Sequence, residues 1–124
     1  MCLTTSQHTS LIAKHNIRCY KVLRKDLVSP CYNQQYVLGQ KLTSAICRYF
    51  RHIEEGLHTY VNFGYAKDRT RDTWFNQIEL LPVAAAPIVV ECIIPQGSEY
   101  YISNNGEEYA SNQLIPNKIV YIRV

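Results

Sequence analysis

Ile88-Val89-Val90-Glu91-Cys92-Ile93-Ile94-Pro95-Gln96-Gly97-Ser98-Glu99-Tyr100-Tyr101-Ile102 decides the fold class. A β-branched run stops at Pro95 and Gly97, then resumes through Tyr100, Tyr101 and Ile102. That is the pattern of two extended segments joined by a short turn. Glu91 is the one charged position inside the first segment. In a strand covered on both faces a carboxylate is costly unless paired, its pKa rises, and it becomes a catalytic candidate. In a strand with one wet face it points to water, and antiparallel strands commonly have such a face. The expectation for Glu91 is exposure.

Working outward, Ile17 to Leu23 alternates as a strand, with Cys19, Lys21 and Leu23 on one face and Arg18, Tyr20 and Val22 on the other. Ser29-Pro30 marks a turn, and Gln35 to Leu38 reads as a short strand stopped by Gly39. Leu42, Ala45, Ile46, Tyr49, Phe50 and Ile53 recur at three and four, which predicts a helix closed by Gly56. Glu54 and Glu55 oppose the dipole of that helix, so strand remains the alternative over 42–55. Gly56 to Val61 is extended. Asp72, Trp74, Ile78 and Leu81 predict a short helix stopped by Pro82, followed by a linker over 82–87. Ser103 to Gly106 is a turn, and Lys118 to Val124 a closing strand. Residues 1–15 are polar and aperiodic, a loosely held arm ahead of one compact domain over 16–124. The expected class is α+β: strand-rich, mainly antiparallel, with one or two short helices.

At 124 residues and 47% hydrophobic, the chain is long enough to bury a core without a metal or disulfide. Residues 1–75 carry 11 Lys/Arg against 5 Asp/Glu, a balance of +6, and residues 76–124 carry 2 against 5, or −3. No basic cluster is dense enough for a phosphate track, which disfavours nucleic acid. Cys2, Cys19, Cys31, Cys47 and Cys92 form no CxxC or CxxH pair, so no metal site is expected. Their odd number and the lack of a secretory signal predict reduced thiols and a cytoplasmic protein. The longest apolar run, 80–90, is interrupted by Pro82 and Pro87 and is too short to span a bilayer.

Chemistry-bearing residues are few. His58 and Tyr60 alternate on one extended piece and together suit a ligand-contacting or acid–base pair, although nothing nearby in sequence orients the imidazole. Lys67, Arg69 and Arg71 beside Tyr65 and Trp74 form a weak basic patch with aromatics. Tyr100, Tyr101 and Tyr109 belong to tyrosine-rich turns of the kind found at interfaces.

Several motifs resemble a family of small uncharacterised proteins of bacteria, their phages and large DNA viruses. They are Glu55-Gly-Leu-His-Thr-Tyr60, Ile94-Pro-Gln-Gly-Ser-Glu-Tyr-Tyr101 and Tyr109-Ala-Ser-Asn112, after an opening Cys19-Tyr-Lys-Val-Leu23. The resemblance covers 17–124, is weakest at Pro82–Pro87, and implies a shared fold and a bacterial or infected-cell cytoplasm but no activity. A looser one is to ADP-ribosyltransferase-like domains, with Arg18, Gly56 to Tyr60 and Glu91 laid on their order of strands. It implies NAD as cofactor, with Arg18 and Tyr60 holding the dinucleotide and Glu91 orienting the ribose. The Ser-Thr-Ser and Glu-x-Glu motifs of one branch are absent.

The residues together predict a binding or accessory module without an assembled catalytic site, using no cofactor. Its partner is expected to be a protein or a second copy, through Tyr100, Tyr101 and Tyr109. The alternative is the NAD-using enzyme, with His58, Tyr60, Glu91 and Arg18 as its site.

Overall fold

The structure, a computed structural model, describes residues 3–7, 9–29, 34–71 and 87–123. Its strands are β1 (Leu3–Thr4), β2 (Leu11–Ile12), β3 (Ile17–Arg24), β4 (Leu42–Thr43), β5 (Cys47–Tyr49), β6 (His52–Glu55) and β7 (Leu57–Tyr60). After the helix α1 (Phe63–Arg69) come β8 (Pro87–Ile94), β9 (Glu99–Ile102), β10 (Glu108–Ser111) and β11 (Gln113–Ile122). Among the described residues strand makes up 52% against one seven-residue helix, so the fold is strand-rich and mainly antiparallel.

The two halves of the Ile88–Ile102 stretch are both strands, yet they do not pair with each other. The larger sheet has the order β2-β9-β10-β7-β3-β8-β11-β4, which places three strands between β9 and β8. What joins them is a corner. Residues 17–24 run antiparallel to 87–94, from Ile17 opposite Ile94 to Arg24 opposite Pro87. Beyond the corner the same two segments continue side by side, with Leu11 opposite Tyr100 and Ile12 opposite Glu99. At the bend the Gly97 N–H donates to the Ala13 carbonyl (2.8 Å), the Ala13 N–H to that of Ser98 (2.9 Å), and the Gln96 N–H to Asn16 Oδ1 (2.9 Å). Gly97 sits at φ +89°, a region that a side chain makes costly. The run β2-β9-β10-β7-β3 therefore starts and ends on one bent segment, and the sheet curls into a barrel-like shape closed where Tyr20 faces Tyr60.

The curl makes an inner and an outer face, filled by strand alternation. Cys19, Leu23, Leu57, Ile88, Val90, Cys92, Ile94 and Leu114 are buried on the inner face, with Tyr100 and Tyr109 half-buried against them. Each fully buried aliphatic side chain of this kind contributes about 1.5–3 kcal/mol. On the outer face Val22, Tyr60 and Val89 are covered by Ala66 and Phe63 of α1. Asn62 caps that helix by accepting from the Tyr65 N–H (2.9 Å). The smaller sheet, β1-β6-β5, packs Leu3 and Ile53 on Ala110 of β10.

Three expectations change. Over 42–55 the chain is strand and not helix: β4 pairs with β11, and β5 with β6. The apolar spacing that predicted a helix is met instead by three short strands and the turn between the last two, where Ile53 is buried while Tyr49 and Phe50 project. The described residues of the N-terminal arm join the sheets: β1 pairs with β6, Leu3 is fully buried, and β2 pairs with β9. Gln35 to Leu38 is no strand, only a single bridge from Gln35 to Val28. The helix expected from Asp72, most of the 82–87 linker and Pro30 lie outside the described residues. No helix among the described residues is long and apolar enough to cross a membrane.

Gly56 joins the two sheets at φ +146°, and a β-carbon there would meet Ile46, Ala110 and the Ser111 carbonyl at ordinary contact distance. The strain is thus in the backbone and not in the space. Gly56→Ala is expected to lower stability by about 1–3 kcal/mol, read from the urea midpoint at unchanged slope.

Candidate functional site

Strand register sets a line of polar side chains across the outer face. Glu108 faces Tyr60, Tyr60 faces Tyr20, Tyr20 faces Glu91, and Glu91 faces Lys118. Two irregularities in β11, between Pro116 and Lys118 and between Ile119 and Tyr121, bring Lys118 and Tyr121 to that face in place of simple alternation. Glu91 is not exposed, as expected from a half-wet strand, but 9% exposed. The reason is that β8 is an inner strand, flanked by β3 and β11, whose long basic side chains cover the carboxylate. Arg18 Nε lies 2.9 Å from one Glu91 oxygen and Lys118 Nζ 3.6 Å from the other, the two cations being 72% and 64% exposed at their side chains.

Arg18 and Glu91 therefore meet, and Tyr60 lies in line two strands away, roughly 10 Å at the usual strand spacing. Alternation puts His58 on the same face as Tyr60, opposite Ala110. It is buried, and its Nε2 has no hydrogen-bond partner among the described residues. Burial, with the Lys21 charge adding to it, pushes the imidazole down to about 4. A base active near neutral pH needs a pKa close to it. The arrangement keeps a neutral imidazole enclosed, and Phe63 and Ala66 of α1 cover the sheet next to Tyr20 and Tyr60.

The inner face also holds polar groups. Lys21 Nζ donates to the His58 carbonyl (2.7 Å) and lies 6.0 Å from the centre of the Tyr36 ring. Cys19 and Cys92 face each other across β3 and β8 and are fully buried. Burial pushes Cys19 up to about 12 and raises Cys92 and the Tyr36 hydroxyl as well. These thiols are packing groups, enclosed where a reactive cysteine needs an open setting.

The tyrosines expected at an interface are half-buried. Tyr100 and Tyr109 stack edge to face at 5.7 Å and pack on the inner core, while Tyr101 packs on the smaller cluster under the guanidinium of Arg48. The most exposed aromatics among the described residues lie elsewhere, at the tip of the β5–β6 hairpin. Tyr49 is 60% and Phe50 77% exposed, their rings edge to face at 4.6 Å. Tyr49 faces His52, so Phe50 and Arg51 make a two-residue connection, and Phe50 takes φ +54°. Glycine is the usual residue for a positive φ at the first position of such a turn. The turn is pinned on both carbonyls: Arg48 Nε donates to that of Phe50 (2.7 Å) and the Thr5 N–H to that of Arg51 (2.8 Å). Sequence reasoning missed this tip because a helical period absorbed both rings. The usable signal was the pair of aromatics set between Arg48 and Arg51.

The basic patch expected around α1 is engaged with its own fold. Lys67 Nζ sits 5.3 Å from the Tyr121 ring centre, and the charge of Arg69 lowers the pKa of Glu108 that burial raises. Among the described residues no group of three or more His, Cys, Asp or Glu is placed to hold a metal ion. Comparison with protein-family models, with curated proteins and with solved structures gave no match.

A histidine whose folded pKa is depressed adds stability above its unfolded value of 6.5, and that stability is lost as pH falls toward about 4. Wild type is expected to lose up to about 3 kcal/mol over this interval that His58→Leu does not lose. Urea midpoints at neutral pH and at the acid end of the interval measure it. An equal loss in the variant would assign the acid sensitivity to other groups.

Proposed function

We propose that the protein is a small binding or accessory module, acting by non-covalent recognition, with the Tyr49–Phe50 turn as its docking element. The observation that carries this reading is an exposed aromatic pair on a rigidly pinned turn, at a backbone position that disfavours its own side chain. A bulky residue at positive φ costs about 1–3 kcal/mol, and side chains this exposed return little of it through packing. Strained, exposed residues of this kind concentrate where a surface has work to do. Tyrosine, phenylalanine and arginine together are also enriched at the centres of interfaces, and a pre-ordered turn lowers the entropy lost on association. The resemblance to bacterial, phage and viral proteins supports the cytoplasm of a bacterium or of an infected cell as the setting of such a module.

A second reading, an NAD-using transferase, is supported by Arg18, Tyr20, Tyr60 and Glu91 sharing one sheet face. Against it, both oxygens of Glu91 are already engaged by cations, and His58 is enclosed.

Phe50→Gly separates docking from structure. It is expected to raise stability by about 1 kcal/mol by relieving the positive φ, with the midpoint of urea unfolding as the measure. A fall would make the ring part of the fold and remove the docking reading. For the enzyme reading, calorimetric titration with NAD to roughly 1 mM is expected to give no saturable heat. Saturable binding that Glu91→Gln weakens would reverse the order of the two readings.

A further inference from the structure

We propose that the Tyr49–Phe50 tip binds single-stranded nucleic acid, stacking bases on its aromatic faces. The proposal rests on the docking reading above and names its partner. Three observations carry it. Arg48 and Arg51 stand beside the two rings, while the acids of the same hairpin, Glu54 and Glu55, lie at the other end of β6, so the charge next to the rings is positive and favours an anionic partner. The rings of Tyr49 and Phe50 meet edge to face at 76°, an arrangement that leaves at least one ring open on both faces. A base offers a flat π-face that such a ring takes whatever the sequence. Finally, Arg51 and His52 follow Phe50 directly and are exposed, so a phosphate attached to a stacked base lies within reach of their side chains.

The geometry also limits the electrostatic share. Arg48 is held to the Phe50 carbonyl and lies over the Tyr101 ring 5.7 Å away, so it shapes the turn. Phosphate neutralisation falls to Arg51, with His52 adding charge only when protonated. Stacking then dominates affinity, and the salt slope is expected to be shallow, about −1 in log–log form. A phosphate track of many cations would give a slope several times steeper. This distinguishes the tip from the Lys67–Arg71 segment, whose Lys67 is already laid on Tyr121. A second copy is disfavoured as the occupant, because two tips meeting about a two-fold axis would bring Arg48 and Arg51 against their own like charges.

Fluorescence anisotropy of a labelled oligothymidylate tests the proposal, with a duplex of equal length and polyglutamate as comparison probes. Wild type is expected to bind the single strand more tightly than either comparison probe. Phe50→Ser is expected to weaken that binding about tenfold or more. Arg51→Gln is expected to weaken it less and to flatten the salt response by about one unit of slope. Thermal melts of both variants establish that each is folded. Equal affinity of Phe50→Ser and wild type, or no binding of the oligonucleotide, overturns the proposal. Polyglutamate bound as tightly as the oligonucleotide also overturns it, making the partner an acidic polypeptide. So does concentration-dependent self-association that Phe50→Ser abolishes, which makes the partner a second copy. These last two outcomes leave the docking reading standing. Loss of stability in Phe50→Gly would remove the docking reading itself, whatever the probes show.

Discussion

The pairing of residues 11–24 with 87–100 around a shared corner is the constraint on which the structure depends. Two segments stay antiparallel through a bend because both turn at the same place, at 13–16 on one side and 95–98 on the other. Without the bend, β3 and β8 would be a flat ribbon exposing Cys19, Leu23, Val90 and Cys92. With it, β9 returns over the inner face carrying Tyr100, and β10 follows with Tyr109. Backbone groups at the bend that lack a strand partner are met by the Asn16 side chain and the Ala13 peptide, as burial requires.

The outer face follows from the same arrangement. Because β8 lies between β3 and β11, Glu91 has a basic neighbour on each side, and the irregularities of β11 decide that one of them is Lys118. The cations are largely solvated, so the group adds little to stability while it holds the carboxylate in one place. The inner face is closed by apolar packing. The smaller sheet is fixed to its flank through Leu3, Ile53 and Ala110, and that sheet carries the aromatic tip outward.

Strands with period two were legible in the sequence. Cys19, Lys21 and Leu23 share the inner face as their alternation states, and the runs at 88–94, 99–102 and 57–60 are strands. The segment 42–55 misled because a hairpin that buries Ile53 and projects Tyr49 and Phe50, with Ile46 half-buried just ahead of it, happens to match a helical spacing, and no local term separates the two. The warning was there in Glu54 and Glu55, which suit a helix end poorly and an exposed strand well. Helix α1 gave no signal, being seven residues long with a glycine inside it, and it is held by packing more than by propensity. The environment of Glu91 was beyond sequence reasoning for a different reason. Its exposure depends on which strands flank β8, and those lie about 70 residues before it and about 27 after it in the chain.

The opposed thiols of Cys19 and Cys92 carry a consequence for the kinetics of the molecule. Both lie at the seam between β3 and β8, fully buried and with their thiolate forms disfavoured. An alkylating reagent reaches them only after those two strands separate, and separating them dismantles the corner and the inner core together. Cys47, exposed on β5, is open to the same reagent in the native state. Among the described residues the two classes of thiol thus form a clock with its own zero: Cys47 marks when the reagent arrives, and the Cys19–Cys92 pair marks when the fold opens.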